Sequence, residues 1–232
     1  MNRVLRSLAL LAVSAGALGA QVANRQFSVT TRLGTITPER SASLEATALT
    51  GLDTEYSLTK YFGVGTSIDV SRGYSTKEDF LTRLRYGNAG TASGDSIYYQ
   101  YVGQPVGVIN VSGWALARYP GKRLSPYVMG GVGNYTMVLD AQVMGRSTRA
   151  NALSYTGGAG VWVKLGDKVG VQLDARSVTY TNYNRDILNP ALGRPELRTP
   201  FPEDFPVAPA KKNSAMNTVL TLGFRYLPGG GN

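Results

Sequence analysis

Residues 154–180 read Ser154-Tyr155-Thr156-Gly157-Gly158-Ala159-Gly160-Val161-Trp162-Val163-Lys164-Leu165-Gly166-Asp167-Lys168-Val169-Gly170-Val171-Gln172-Leu173-Asp174-Ala175-Arg176-Ser177-Val178-Thr179-Tyr180. The pattern predicts two long strands joined by a tight turn at Gly166-Asp167. Strand side chains alternate between faces. In the second strand Val169, Val171, Leu173 and Ala175 therefore share one face, and Gly170, Gln172, Asp174 and Arg176 the other. In the first, Tyr155, Ala159, Val161, Val163 and Leu165 oppose Ser154, Thr156, Gly158, Gly160, Trp162 and Lys164. One face is apolar and the other polar. The fold turns on whether the apolar face meets a protein core or lipid.

The N-terminus bears on that choice. Arg3 and Arg6 precede an apolar run, Leu8 to Val13, and a small-residue stretch ending at Ala20. This is the pattern of a secretory signal peptide over residues 1–20, with cleavage after Ala17 or Ala20. The run is too short for a spanning helix, and charged or polar residues interrupt every later apolar run. The remaining 212 residues (232 − 20), 21–232, suit a single all-β domain. There is no cysteine, so an exported chain of this kind needs a large hydrogen-bonded framework instead of disulfides. The formal charge of +9 becomes +7 once Arg3 and Arg6 are removed. Export makes nucleic acid an unfitting partner for that charge, whereas anionic lipid headgroups or polysaccharide fit it.

Eight alternating segments are predicted: 26–36, 44–58, 61–74, 96–119, 124–139, 154–165, 169–180 and 214–227. Pro105 removes a ladder donor within the fourth and should mark a bulge or a strand end. Residues 75–95 read as a long polar loop. Residues 182–213 read as the longest, because Pro190, Pro195, Pro200, Pro202, Pro206 and Pro209 exclude a regular strand there. Links after the second, fourth and sixth segments are tight turns, and the others are longer. Short turns at one rim and long loops at the other are the layout of an eight-stranded antiparallel up-and-down transmembrane β-barrel. An even strand count places both termini at the short-turn, periplasmic rim.

Aromatic positions sort in the same way. Tyr56, Tyr61, Phe62, Tyr119, Tyr127, Phe224 and Tyr226 lie near short turns or the C-terminus, and Tyr74, Tyr135, Tyr155 and Tyr180 near the long loops. Two girdles at the membrane interfaces are the expectation. The opposite strand faces carry Arg32, Asp53, Glu55, Asp69, Lys164, Gln172, Asp174, Arg176 and Arg225. Eight strands leave an interior that side chains can fill, and confined charges should pair, so a plugged lumen with a structural polar network is expected.

Leu124-Ser125-Pro126-Tyr127-Val128-Met129-Gly130-Gly131-Val132-Gly133 resembles the "PY…GGxG" strand of small OmpA/OmpX-like outer-membrane barrels. Gly158 to Leu165, continuing to Arg176, resembles that family's next hairpin, and Thr221-Leu222-Gly223-Phe224-Arg225-Tyr226 its closing strand. The resemblance covers most of the mature chain. It implies an outer-membrane location, and 212 residues of barrel leave no room for the peptidoglycan-binding domain that some members carry. Members usually end on an aromatic residue, whereas six residues follow Tyr226 here.

There is no histidine, so the His-based mechanisms of barrel acyltransferases, deacylases and phospholipases lack their general base, and His/Cys metal sites are excluded. Asp53, Glu55 and Asp69 have the residue types of a carboxylate acid/base set, but the same groups fit an ionic network with Arg176, Arg225 or Lys164. The glycine runs at 63–65, 130–133 and 157–160 have neither the spacing nor the following helix of a phosphate loop. No cofactor and no metal is expected. The sequence favours a non-enzymatic outer-membrane barrel with a structural envelope role. Its partners would be the lipid bilayer and, through loops rich in Lys and Arg, surface polysaccharide or other envelope proteins. A narrow pore or carrier for small apolar molecules and a soluble exported lipid-binding barrel are the alternatives.

Overall fold

A computed structural model of the chain describes residues 26–76, 81–86, 96–101, 103–139, 148–188 and 212–228. Residues 1–25, which include the predicted signal peptide, and 189–211, most of the Pro-rich segment, lie outside them. The strands are β1 Gln26–Pro38, β2 Thr47–Ser57, β3 Phe62–Tyr74, β4 Leu81–Tyr86, β5 Ser96–Tyr101, β6 Pro105–Arg118, β7 Leu124–Leu139, β8 Thr148–Lys164, β9 Val169–Thr181 and β10 Ser214–Tyr226. Eight of them close a barrel in the order β1-β10-β9-β8-β7-β6-β3-β2, with every pair antiparallel. Closure removes the sheet edges, so every strand of the wall has two hydrogen-bonded neighbours.

The registers also set the tilt. The path Ile36, Val219, Arg176, Gly158, Met129, Leu116, Gly63, Ser57, Gln26 follows paired residues once round the wall and returns to β1 ten residues away (36 − 26). For eight strands that stagger corresponds to strands inclined at about 40° to the axis, with a narrow interior.

The eight-stranded barrel is as the sequence predicts, with three differences, one of them that β8 begins at Thr148 and not at 154. The predicted fourth strand, 96–119, is two elements: β5 leaves the barrel and pairs with β4 as a separate hairpin. Pro105 is the first residue of β6, where its missing N–H interrupts nothing. The predicted loop 75–95 accordingly contains β4.

Alternation decides what each face meets. Along β10 the burial pattern is strictly alternate: Leu220, Leu222, Phe224 and Tyr226 are outside, and Val219, Thr221 and Arg225 inside. The outer wall exposes Leu33, Leu52, Ile68, Val70, Val111, Val128, Val132, Leu153 and Leu173 as well. So large a continuous apolar surface marks a membrane contact rather than a wetted wall. Polar groups within it satisfy each other, as where Thr54 Oγ1 and Thr66 Oγ1 hydrogen-bond at 2.8 Å.

At the long-loop end the links between strands pack together. Ala42, in a 3-10 turn at Arg40–Ala42, and Leu188, in another at Arg185–Leu188, are fully buried. Tyr183 Oη donates to Ala42 O at 2.6 Å, and Gln104 Nε2 donates to Leu188 O at 3.1 Å. Burial raises the Tyr183 phenol well above its ordinary pKa.

Candidate functional site

The lumen holds two ionic clusters. In the first, Arg32 Nη2 lies 2.8 Å from Asp53 Oδ1 and 2.5 Å from Asp69 Oδ1. Arg176 Nη2 lies 2.6 Å from Asp53 Oδ2 and 3.0 Å from Asp174 Oδ2. Asp53 therefore bridges two guanidinium groups. Asp174 also accepts from Gln172 Nε2 at 2.9 Å and from the Tyr127 hydroxyl. Ser67 Oγ accepts from Trp114 Nε1 at 2.7 Å and from Arg176 Nη1 at 3.3 Å. Gly51 leaves room for this cluster, because a Cβ there would press on the Asp69 carboxylate and the Arg32 guanidinium and make them shift. In the second cluster, toward the short-turn rim, Glu55 binds Arg118 at 2.9 Å and Arg225 at 2.8 Å. Arg225 also lies over the Trp162 ring, 4.5 Å from its centroid.

The chemistry of the set is closed on itself. Four arginines, Arg32, Arg118, Arg176 and Arg225, face four carboxylates, Asp53, Glu55, Asp69 and Asp174. Each carboxylate has a cation within salt-bridge distance, so none is presented to a substrate as an unpaired base. The space among Thr30, Asp53, Glu55, Trp114 and Arg225 is about 10 Å³, no larger than one water. Among the described residues no group of three metal-ligating side chains is brought together.

Above these clusters, toward the long loops, the lumen turns apolar. Ile36, Leu49, Val106, Val108, Tyr135, Met137, Leu139, Val178, Tyr180, Ala215 and Val219 form one buried cluster. Tyr135 and Tyr180 stack with ring centroids 4.3 Å apart. A polar contact sits between the two levels, where Ser154 Oγ donates to Asn110 Oδ1 at 2.6 Å.

The structure thus brings together Arg32, Asp53, Glu55, Asp69, Gln172, Asp174, Arg176 and Arg225, all buried. Lys164 does not join them. It stands at the end of β8, where its side chain is 43% exposed and reaches Asp167 in the adjoining turn at 3.4 Å. Of the eleven predicted interface aromatics, Tyr56, Tyr61, Phe62, Tyr74, Tyr119, Tyr155, Phe224 and Tyr226 are exposed on the outer surface. Tyr127, Tyr135 and Tyr180 are not. They have inward parity on β7 and β9 and are 7%, 1% and 2% exposed. Arg118 and Trp114 join the lumen network as well; the alternation of this strand sets them on the face of Asn110 and Ser112, opposite Ile109, Val111, Ala115 and Ala117, although they were not among the residues expected in the network.

The model of the outer membrane protein beta-barrel domain family matches residues 7–194. The chain belongs to that family. A search of curated proteins found no match. Among solved structures, Neisserial surface protein A is similar at 11% identity, covering 86% of this chain and 96% of that one, with a TM-score of 0.52. The outer membrane protein OprG of Pseudomonas aeruginosa is similar at 11% identity over 89% and 99% of the two chains, with a TM-score of 0.48. Ail of Yersinia pestis, solved in complex with the heparin analogue sucrose octasulfate, is similar at 12% identity over 87% and 97%, with a TM-score of 0.42. At these identities the likeness is one of fold. The protein is a small outer-membrane β-barrel protein.

Proposed function

We propose that this outer-membrane barrel is not an enzyme, that it has a structural role in the envelope, and that its long loops contact partners outside the cell. The observation that carries this reading is the self-paired lumen: each carboxylate is already held by an arginine, and the apolar cluster fills the barrel beyond them. A group held by two partners in a filled cross-section is a poor acid, base or ligand. What stays accessible is the outer wall and the loops. The outward Tyr56, Tyr61, Phe62, Tyr119, Phe224 and Tyr226 act as the girdle at the short-turn interface, and Tyr74 and Tyr155 as the sparser one opposite. Residues 1–20 act as the cleaved export signal. The loops, together with the exposed Arg149 at the long-loop end of β8, meet anionic surface polysaccharide or another envelope protein.

The test is complementation. A bacterium lacking the protein is restored either with the full chain or with a variant in which residues 190–210 are replaced by a short Gly/Ser link. Detergent sensitivity and binding to anionic glycan are then measured. The proposal expects both forms to insert and restore detergent resistance, with glycan binding lost only from the shortened form. Full glycan binding by the shortened form would remove this loop from the reading, and failure of the full chain to restore resistance would remove the structural role.

A further inference from the structure

Each of the three tight turns carries lysine or arginine. Lys60 lies between β2 and β3, Lys122 and Arg123 between β6 and β7, and Lys168 between β8 and β9. All four are exposed, and none has an ion-pair partner among the described residues. Lys164, at the end of β8, is exposed too and faces Asp167 at 3.4 Å. Asp167 is the one exposed acid at this rim among the described residues. Five cations against one acid leave an excess of +4 (5 − 1).

These charges hold fixed places. Lys164 N donates to Arg123 O at 2.8 Å, Leu227 N to Lys168 O at 2.8 Å, and Arg118 N to Tyr61 O at 2.7 Å, so neighbouring strand ends are tied together around the rim. The apolar outer wall runs right up to the turns. Tyr61, Phe62, Tyr119, Leu124 and Leu165 are all exposed, each within three residues of a cation. Lys60 Nζ lies over the Tyr61 ring, 5.0 Å from its centroid. The cations therefore stand at the level of the aromatic girdle, where rings meet lipid headgroups.

We propose that the short-turn rim is a binding ring for anionic phospholipid headgroups of the phosphatidylglycerol class in the periplasmic leaflet. A zwitterionic headgroup brings its own ammonium toward the ring, whereas a net anionic one does not, so the uncompensated excess discriminates between them. A polyanion standing off the membrane would need cations carried outward on long segments. Here short turns hold them against the hydrocarbon edge. The proposal rests on the membrane reading and adds a lipid preference at the rim opposite the long loops.

The test measures lipid selectivity at the barrel surface. The wild-type protein, the quadruple variant K60Q/K122Q/R123Q/K168Q and the opposite-rim control R72Q/R149Q are reconstituted in phosphatidylcholine vesicles, and each is shown to be folded by heat-modifiable gel mobility. Spin-labelled phosphatidylglycerol and phosphatidylcholine are then compared for the motionally restricted fraction that each gives. Co-sedimentation with peptidoglycan sacculi is measured in parallel. The expected result is roughly threefold or greater enrichment of phosphatidylglycerol beside the wild type and the control at low salt. It should fall to parity in the quadruple variant, and toward parity in high salt. Equal association of the two lipids with the wild type, or enrichment that survives in the quadruple variant, would overturn the ring. Sacculus binding lost from the quadruple variant, with no lipid preference in the wild type, would overturn it in favour of peptidoglycan. Absence of any restricted lipid beside the folded wild type would overturn the membrane reading itself.

Discussion

Arg176 and Asp53 meet at 2.6 Å between Nη2 and Oδ2 from strands β9 and β2, which are not neighbours in the wall. The pair spans the lumen, so it ties opposite sides of the barrel together. Arg32 completes the span by holding the other oxygen of the same carboxylate. A buried ion pair adds little net stability over an apolar replacement, yet removing one partner strands the other.

Asp53→Ala therefore leaves two buried guanidinium groups without their shared anion. We expect a loss of roughly 3–5 kcal/mol of unfolding free energy in urea titrations of the reconstituted barrel. Asp53→Glu, which keeps the charge, should lose less. Equal stability of Asp53→Ala and the parent would contradict the network.

Tyr127→Phe separates the two placements of that residue. At a membrane interface Phe is a mild substitute for Tyr. In the lumen it removes a hydroxyl that donates to the Asp174 carboxylate. The lumen placement predicts a loss of about 1.5–3 kcal/mol, read by the same urea titration. Tyr119→Phe, on the exposed rim, should change stability by no more than roughly 0.5 kcal/mol.

Leu222→Arg places a charge in the outward band beside Leu220 and Phe224. A cost of roughly 2–4 kcal/mol is expected if the residue lies near the hydrocarbon midplane, measured by refolding equilibria into lipid vesicles. A neutral effect would mean that this face is wet.

Glu39 and Lys212 pair at 2.9 Å where the links at the long-loop end come together. The Lys212 ammonium, by its hydrogen bond, holds the Glu39 carboxyl below its usual pKa. A lowered folded-state pKa means that the contribution is present above the unfolded carboxylate value, about 4.3, and is lost as pH falls through the folded value. Glu39→Gln should therefore remove a small stability difference seen at pH 6–7 and absent at pH 3. The pair is partly exposed, so salt should shrink the effect as well.

Much of the barrel was legible because period-2 alternation is strong on β9 and β10, where each face has one character. β7 was harder. Its Tyr127–Met129 face and its Val128–Val132 face are both apolar, so proximity to a rim could not tell inside from outside. The informative signal was cross-strand: Tyr127 pairs with Gly160, where a Cβ would collide with the tyrosine ring, so the glycine opens room for it inside. Lys164 had inward parity, but at the strand end its long side chain leaves the lumen for the Asp167 turn. The β4–β5 hairpin was hidden because it pairs apart from the barrel, in a stretch rich in loop-forming residues. The apolar upper lumen was missed because lipid-facing and lumen-facing Val and Tyr look alike until the registers assign their side.

Planar-bilayer recording of the purified wild-type barrel tests the filled lumen most directly. No sustained conductance is expected from the wild type under moderate voltage, because ionic clusters and the apolar cluster occupy the cross-section in series. Stable unitary currents from the folded wild-type protein, confirmed by heat-modifiable mobility, would contradict it.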